Sequence, residues 1–202
     1  MITKKFSQII SFLLATLIAF FPFNYIVGSK FAWFSCSSMI IPALGYQYSL
    51  LYVIFYIFTK SVCTNIVSML FLLHRLPLIF ATLALQKRTA IISIGLPCLA
   101  ILLFSTHAVG SQAFYYAWYW FIPMIIYFFA QDSLIFRAIS ASFVAHAVGS
   151  VIWLYTGNIG AATWMALIPL VACERLLIAA GMIGCVYLFK FIGLMFHKKV
   201  WA

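Results

Sequence analysis

Acidic residues are nearly missing from this chain: Asp132 and Glu174 are the only two among 202 residues. Charge of either sign is scarce, at 7% of the residues, whereas a soluble domain uses roughly 25% to cover its surface. Long polar stretches are absent too, which leaves no room for a separate soluble domain. Residues 1–202 read as one integral membrane domain. Several motifs are also lacking. Without Cys-x-x-Cys, the five cysteines (Cys36, Cys63, Cys98, Cys173, Cys185) are expected as small core residues, with no disulfide and no cysteine metal site. There is no phosphate-binding Gly-rich loop, so this chain is not expected to hydrolyse nucleotides itself. Neither His-Glu-x-x-His nor Gly-x-Ser-x-Gly occurs, which argues against a zinc protease or a serine hydrolase.

What fills the sequence instead is apolar: 67% of the residues are hydrophobic. Apolar blocks run roughly 6–27, 38–59, 61–85, 90–107, 114–131, 134–155 and 163–196, giving an all-α, polytopic membrane helix bundle. The net charge of +10 does not point to nucleic acid, because the basic residues sit mostly in short connections between blocks. Lys4-Lys5 ahead of the first block could open a signal peptide, with a poor cleavage site at 27–29. The block is long enough to span, so a retained helix is expected.

Lys87-Arg88, Arg137 and Lys198-Lys199 mark one side of the membrane, and the uncharged loops 108–113 and 156–162 mark the other. The positive-inside rule makes the first side cytoplasmic, in a bacterial-type inner membrane, with both termini inside. That requires an even number of spans, whereas seven blocks are present. The expectation is six transmembrane helices, with 38–60 forming a re-entrant or surface segment broken at Pro42 and Gly45.

The pentapeptide His-Ala-Val-Gly-Ser occurs twice, at 107–111 and 146–150. His107 falls at the outer end of its block, and His146 lies about 14 Å below the outer boundary at 1.5 Å per residue. A shared outward cavity with both imidazoles on its wall is one reading, with Gly110 and Gly149 allowing close backbone packing. A coincidence of membrane composition is the other. His146 has Ser142 and Ser150 one turn away on either side, while Ala141, Ala145 and Gly149 form a small-residue seam beside that polar stripe. Glu174 falls near the midplane. It is either half of an internal ion pair with Arg75 or Arg137, or a carboxylate at a cavity floor. Asp132 reads as a helix-start carboxylate. The run Phe114–Phe121, "FYYAWYWF", is partly an interfacial belt, yet at helical spacing some of its rings must face inward. Aromatic walls with a few polar groups make a small-molecule pocket. The expected ligand set is His107, Gln112, Tyr116, Trp120, His146, Ser150, Trp164 and Glu174.

The first block, "SFLLATLIAF", spaces Ser11, Ala15 and Ala19 four residues apart, and the last contains "IPLVACERLLIAAGMIG". In these features, and in size and layout, the chain resembles the substrate-binding S component of energy-coupling-factor (ECF) vitamin transporters. The resemblance implies six helices and an outward pocket built by the later ones. It also implies a vitamin-like or flat heterocyclic ligand, and no catalysis by this chain. Ser11, Ala15 and Ala19 would dock a transmembrane coupling protein energised by two ATPases. The expected partners are therefore the bilayer, a small molecule and that coupling protein, with no cofactor, no metal and no nucleic acid. Two other classes use the same residues. One is an intramembrane enzyme with His107, His146 and Glu174 as a metal or acid–base site. The other is a self-contained secondary carrier or a membrane scaffold.

Overall fold

The structure is a computed structural model that describes residues 2–25, 33–66 and 68–198. The candidate cleavage site at 27–29, and Lys199, lie outside them. The chain is helical, as expected, with one departure: a short antiparallel ribbon pairs β1 (Pro22–Tyr25) with β2 (Trp33–Ser35). Three helical stretches are long and apolar enough to cross a membrane: Met69–Gln86, Leu134–Thr156 and Ala161–Phe196.

Helix α1 (Ile2–Ile18) has two faces. Ser11, Ala15 and Ala19, just beyond its end, are fully buried against the rest of the bundle, while Phe6, Ile9, Leu13 and Leu17 are more than half exposed. A tight turn at Phe20–Phe21 and then Pro22, which cannot continue a helix, end it well short of residue 27.

The region 38–60 is not one span. Helix α2 (Ser37–Gln47) is apolar nearly all round and is buried accordingly, wedged among α1, α3 (Leu50–Thr64), α5 (Leu76–Gln86) and α10 (Ala161–Lys198). The expected break at Pro42 and Gly45 does not occur; both lie inside α2. The chain breaks at Tyr48–Ser49, where Ser49 turns extended and its hydroxyl accepts the Leu51 N–H, starting α3. Gly45 has a different reason to be there. A Cβ at this position would lie 2.5 Å from Thr82 Cγ2 and 2.6 Å from Val53 Cγ2, so glycine permits the contact among α2, α3 and α5.

Asn65, left-handed at φ 52°, ends α3. Ser68 caps the short α4 (Met69–Leu73), and Pro77 sits in the first turn of α5. A π-helical turn, Ile91–Gly95, leads into α6 (Leu96–Thr106). Then come α7 (Ala108–Gln112), a 3-10 helix over Phe114–Trp120, and α8 (Phe121–Phe129). Ser133 caps α9 (Leu134–Thr156), the central helix, which packs against α5, α6, α8 and α10. Helix α10 has 38 residues, about 57 Å of rise, nearly twice a hydrocarbon core of ~30 Å.

Two arginines tie one end of the bundle together. Arg88 donates to the carbonyls of Ile126 and Ala130, both at 2.7 Å, and to that of Tyr127, closing the C-terminus of α8. Arg137 donates to Gln86 O (3.0 Å) at the end of α5, and its Nε lies 3.4 Å from Asp132. Cations are favourable at helix C-termini, where carbonyls lack helical partners. At the far end Tyr155 donates to Leu103 O (2.9 Å), and Thr156 lies 3.4 Å from His74. The rings of Phe6 and Phe196 meet at 5.3 Å, so the start of α1 lies beside the last turns of α10.

The cysteines correct a further expectation. Cys63, Cys98 and Cys173 are exposed and Cys36 is partly so, whereas Cys185 is partly buried and packs against the core.

Candidate functional site

The polar stripe of α9 faces inward, toward α10 and the 3-10 helix. Ser142, His146 and Ser150 are all buried. Ser142 donates to the carbonyl of Arg175 (2.8 Å), which fixes the height at which α9 meets α10. One turn up, His146 Nδ1 lies 3.5 Å from Ser150 Oγ, which in turn lies 3.4 Å from the Tyr116 hydroxyl. Both contacts are long for hydrogen bonds.

The 3-10 helix decides which aromatic rings join this stripe. Tyr116, Ala117 and Trp120 point inward, whereas Phe114, Tyr115 and Trp118 are exposed. Around Phe104 of α6 the inward rings form a box. Its centroid lies 5.8 Å from Tyr116, 5.2 Å from Trp120 and 5.5 Å from Trp164. Tyr116 meets Trp164 edge-on at 4.8 Å and His146 at 5.2 Å, and Trp120 lies 6.3 Å from His146. Tyr119 bridges outward, donating to Ile168 O (2.7 Å) just before Pro169 in α10.

Three polar atoms in this box are buried with no hydrogen-bond partner among the described residues: Trp120 Nε1, Trp164 Nε1 and His146 Nε2. Leaving such a group buried and unbonded costs roughly 1–3 kcal/mol, so three in one cluster call for an explanation. The indoles can only donate, and a neutral imidazole nitrogen donates or accepts according to tautomer.

Below the box, Glu174 and Arg175 pair at 3.0 Å, with side chains 13% and 5% exposed. The expected partners for Glu174, Arg75 and Arg137, are elsewhere; Arg137 pairs with Asp132. Neighbouring residues on a helix point about 100° apart, yet the long Arg175 side chain swings back to the carboxylate. Its charge is near enough to act on both His146 and Tyr116.

Of the expected ligand set, Tyr116, Trp120, His146, Ser150 and Trp164 come together, with Glu174 one layer below. His107 and Gln112 do not join them. Gln112 is exposed. His107 caps α7, its Nδ1 accepting the Val109 N–H, and its ring lies 5.0 Å from that of Tyr155. Tyr155 is nine residues above His146 on α9, about 13.5 Å along the axis. The two His-Ala-Val-Gly-Ser copies are therefore not equivalent: the first is a cap and a short helix, the second the middle of a long one. A His107–His146–Glu174 metal site is not assembled, and no group of three or more His, Cys, Asp or Glu suited to a metal occurs among the described residues. The glycines differ as well. A Cβ on Gly110 would fall 1.9 Å from Phe104 O, whereas on Gly149 it would reach only Pro77 Cγ at 3.5 Å.

Ser11, Ala15 and Ala19 form a packing seam within the chain and present nothing to dock a partner. Two residues of the site carried little sequence signal. Phe104 is one of 21 phenylalanines, and Arg175, adjacent to Glu174 on one helix, starts out about 100° away from it. No protein-family model, curated protein or solved structure matches the chain.

Proposed function

We propose that the chain is a membrane-embedded binding and uptake subunit, akin to an S component, that holds a flat heterocycle in the Phe104–Tyr116–Trp120–His146–Trp164 box. The observation behind this reading is the set of three buried, unbonded polar atoms on aromatic walls. A ring bearing two acceptors, and one group able to pair with His146 Nε2, would satisfy all three while stacking on the neighbouring faces. Two indole donors favour acceptors over a cation, and Glu174 is already matched by Arg175, so the ligand is neutral or acceptor-rich. Entry would pass beside the 3-10 helix Phe114–Trp120, whose hydrogen-bond geometry is poorer than that of an α-helix.

In the bilayer, six crossings are formed by α1, α4–α5, the π turn with α6, α7–α8, α9 and α10. The α2–α3 hairpin is folded among them. The Arg88–Arg137 end is cytoplasmic, with both termini there, in a bacterial-type inner membrane. A coupling partner with ATPases would meet an outward-facing apolar surface, such as the Phe6–Ile9–Leu13–Leu17 stripe of α1, because the small-residue seam is occupied. The test is the compound retained when the protein is purified without added ligand, identified by mass spectrometry. A heterocycle at near-stoichiometric yield, depleted in His146→Ala, supports the reading; a wild-type protein that retains no more than the variant contradicts it. Uptake by proteoliposomes containing this chain alone would replace the subunit with a self-contained carrier.

A further inference from the structure

Where α1, the end of α2 and the last turns of α10 meet, they border an open cavity of about 500 Å³. Lys190 in its wall is 26 residues past Trp164 on the same helix, about 39 Å along the axis. The cavity is therefore separate from the aromatic box. Packing fixes its walls. Tyr48, the residue that closes α2, has its hydroxyl 2.8 Å from Ser11 Oγ and its ring 6.2 Å from that of Phe189. Gln8 accepts the Tyr52 hydroxyl at Oε1 (3.2 Å), which leaves its amide NH2 to donate. One helical turn before Ser11, Ser7 lines the cavity with only 4% exposure. Gly193 keeps the α10 side open: a Cβ there would meet no neighbouring heavy atom within 4 Å.

The lining is rich in donors and holds no carboxylate. Lys190 supplies an ammonium, Gln8 and Gln47 carboxamides, and Ser7 and Tyr48 hydroxyls. The only two acids of the chain are engaged elsewhere, Asp132 with Arg137 and Glu174 with Arg175. Such a set suits an oxyanion, for which charge-assisted bonds are the strong ones. The volume is that of a small-molecule site, larger than a lone phosphate fills. The carboxamides also carry acceptor oxygens, which the hydroxyls of a polyol would satisfy. Depth agrees with this chemistry. Lys190 is 16 residues past Glu174, about 24 Å along α10, more than half of a ~30 Å hydrocarbon core. With Glu174 near the midplane, a phosphate reaches the cavity from water or from the headgroup layer. We propose that this cavity binds a phosphorylated polyol of the glycerol phosphate kind, its phosphate on Lys190 and its hydroxyls on Gln8 and Gln47. Free glycerol phosphate and the headgroup of phosphatidylglycerol share that chemistry.

The test has two arms, both on the full chain. In detergent, glycerol 3-phosphate is titrated by isothermal calorimetry. From nanodiscs of equal phosphatidylglycerol and phosphatidylcholine, the lipids retained on transfer to detergent are counted by native mass spectrometry. Binding of glycerol 3-phosphate marks a water-delivered ligand, and an excess of phosphatidylglycerol without it marks the headgroup. In either arm Lys190→Gln should lower binding about fivefold, the scale of an exposed ion pair. Gly193→Leu should fill the space and lower binding by about tenfold or more. It should leave the melting temperature unchanged or slightly higher, because leucine favours a helix over glycine and meets nothing there. Gly184→Leu, whose Cβ also stands in open space on α10 but outside the cavity, should leave binding unchanged. A wild type that binds in neither arm overturns the proposal. So does binding that survives both Lys190→Gln and Gly193→Leu, that Gly184→Leu lowers as much as Gly193→Leu, or that unphosphorylated glycerol matches.

Discussion

His146 is the side chain on which the binding-site reading turns. Its Nδ1 has only a long contact to Ser150, its Nε2 has none among the described residues, and the rings of Tyr116 and Trp120 lie 5.2 and 6.3 Å away. Removing it should cost the ligand one desolvated hydrogen bond, about 1–3 kcal/mol or roughly 5–150-fold in affinity. His107→Ala should leave affinity unchanged, because that ring caps α7 beside Tyr155. Equilibrium binding of the retained compound to the two variants measures this, and equal losses would refute the division of roles. The repeated glycines make a matched pair for stability. Gly110→Ala would press a methyl against the Phe104 carbonyl and should destabilise by about 1–3 kcal/mol. Gly149→Ala meets only van der Waals contact in mid-helix and should be neutral or stabilising by up to about 1 kcal/mol. Thermal unfolding in detergent would show both signs.

At the scale of helices, α1 and the α8 end carry distinct expectations. Leucine at Ala15 or Ala19 would overfill the seam against the core and lower stability by about 1–3 kcal/mol each. A surface docking stripe would instead leave the melting temperature of the isolated protein unchanged, so one thermal scan separates the two. Arg88→Ala should strip the carbonyls of Ile126, Tyr127 and Ala130 of a charged donor, costing about 1.5–3 kcal/mol. Lysine should recover only part, since it lacks the planar fork that reaches several carbonyls at once. Denaturant or thermal unfolding of the three proteins gives the order.

Across the whole molecule, what the sequence reveals depends on the range of the interaction. Membrane-helix periodicity and length are local properties, so α9 and α10 are legible almost to the residue, as is the inward polar stripe of Ser142, His146 and Ser150. The break at Tyr48–Ser49 is not, because an apolar run looks alike whether it spans or folds back. The aromatic run requires that some rings face inward, but only the 3-10 geometry selects Tyr116 and Trp120 and leaves Trp118 outside. The pentapeptide repeat misleads for the reverse reason: identical letters take a cap in one place and mid-helix in the other. Phe104 emerges as the centre of the box only once α6 is laid against α9 and the 3-10 helix.

The central claim, that this box holds the ligand, is tested most directly by tryptophan emission. The four tryptophans other than Trp120 (0% exposed) and Trp164 (2% exposed) are replaced by phenylalanine, so that both indole donors of the box are kept and supply the emission, and the compound released from wild type is added back. Saturable quenching or a spectral shift of that emission, lost in the His146→Ala background, is the predicted result. A compound that binds while the emission of Trp120 and Trp164 stays constant would contradict the account.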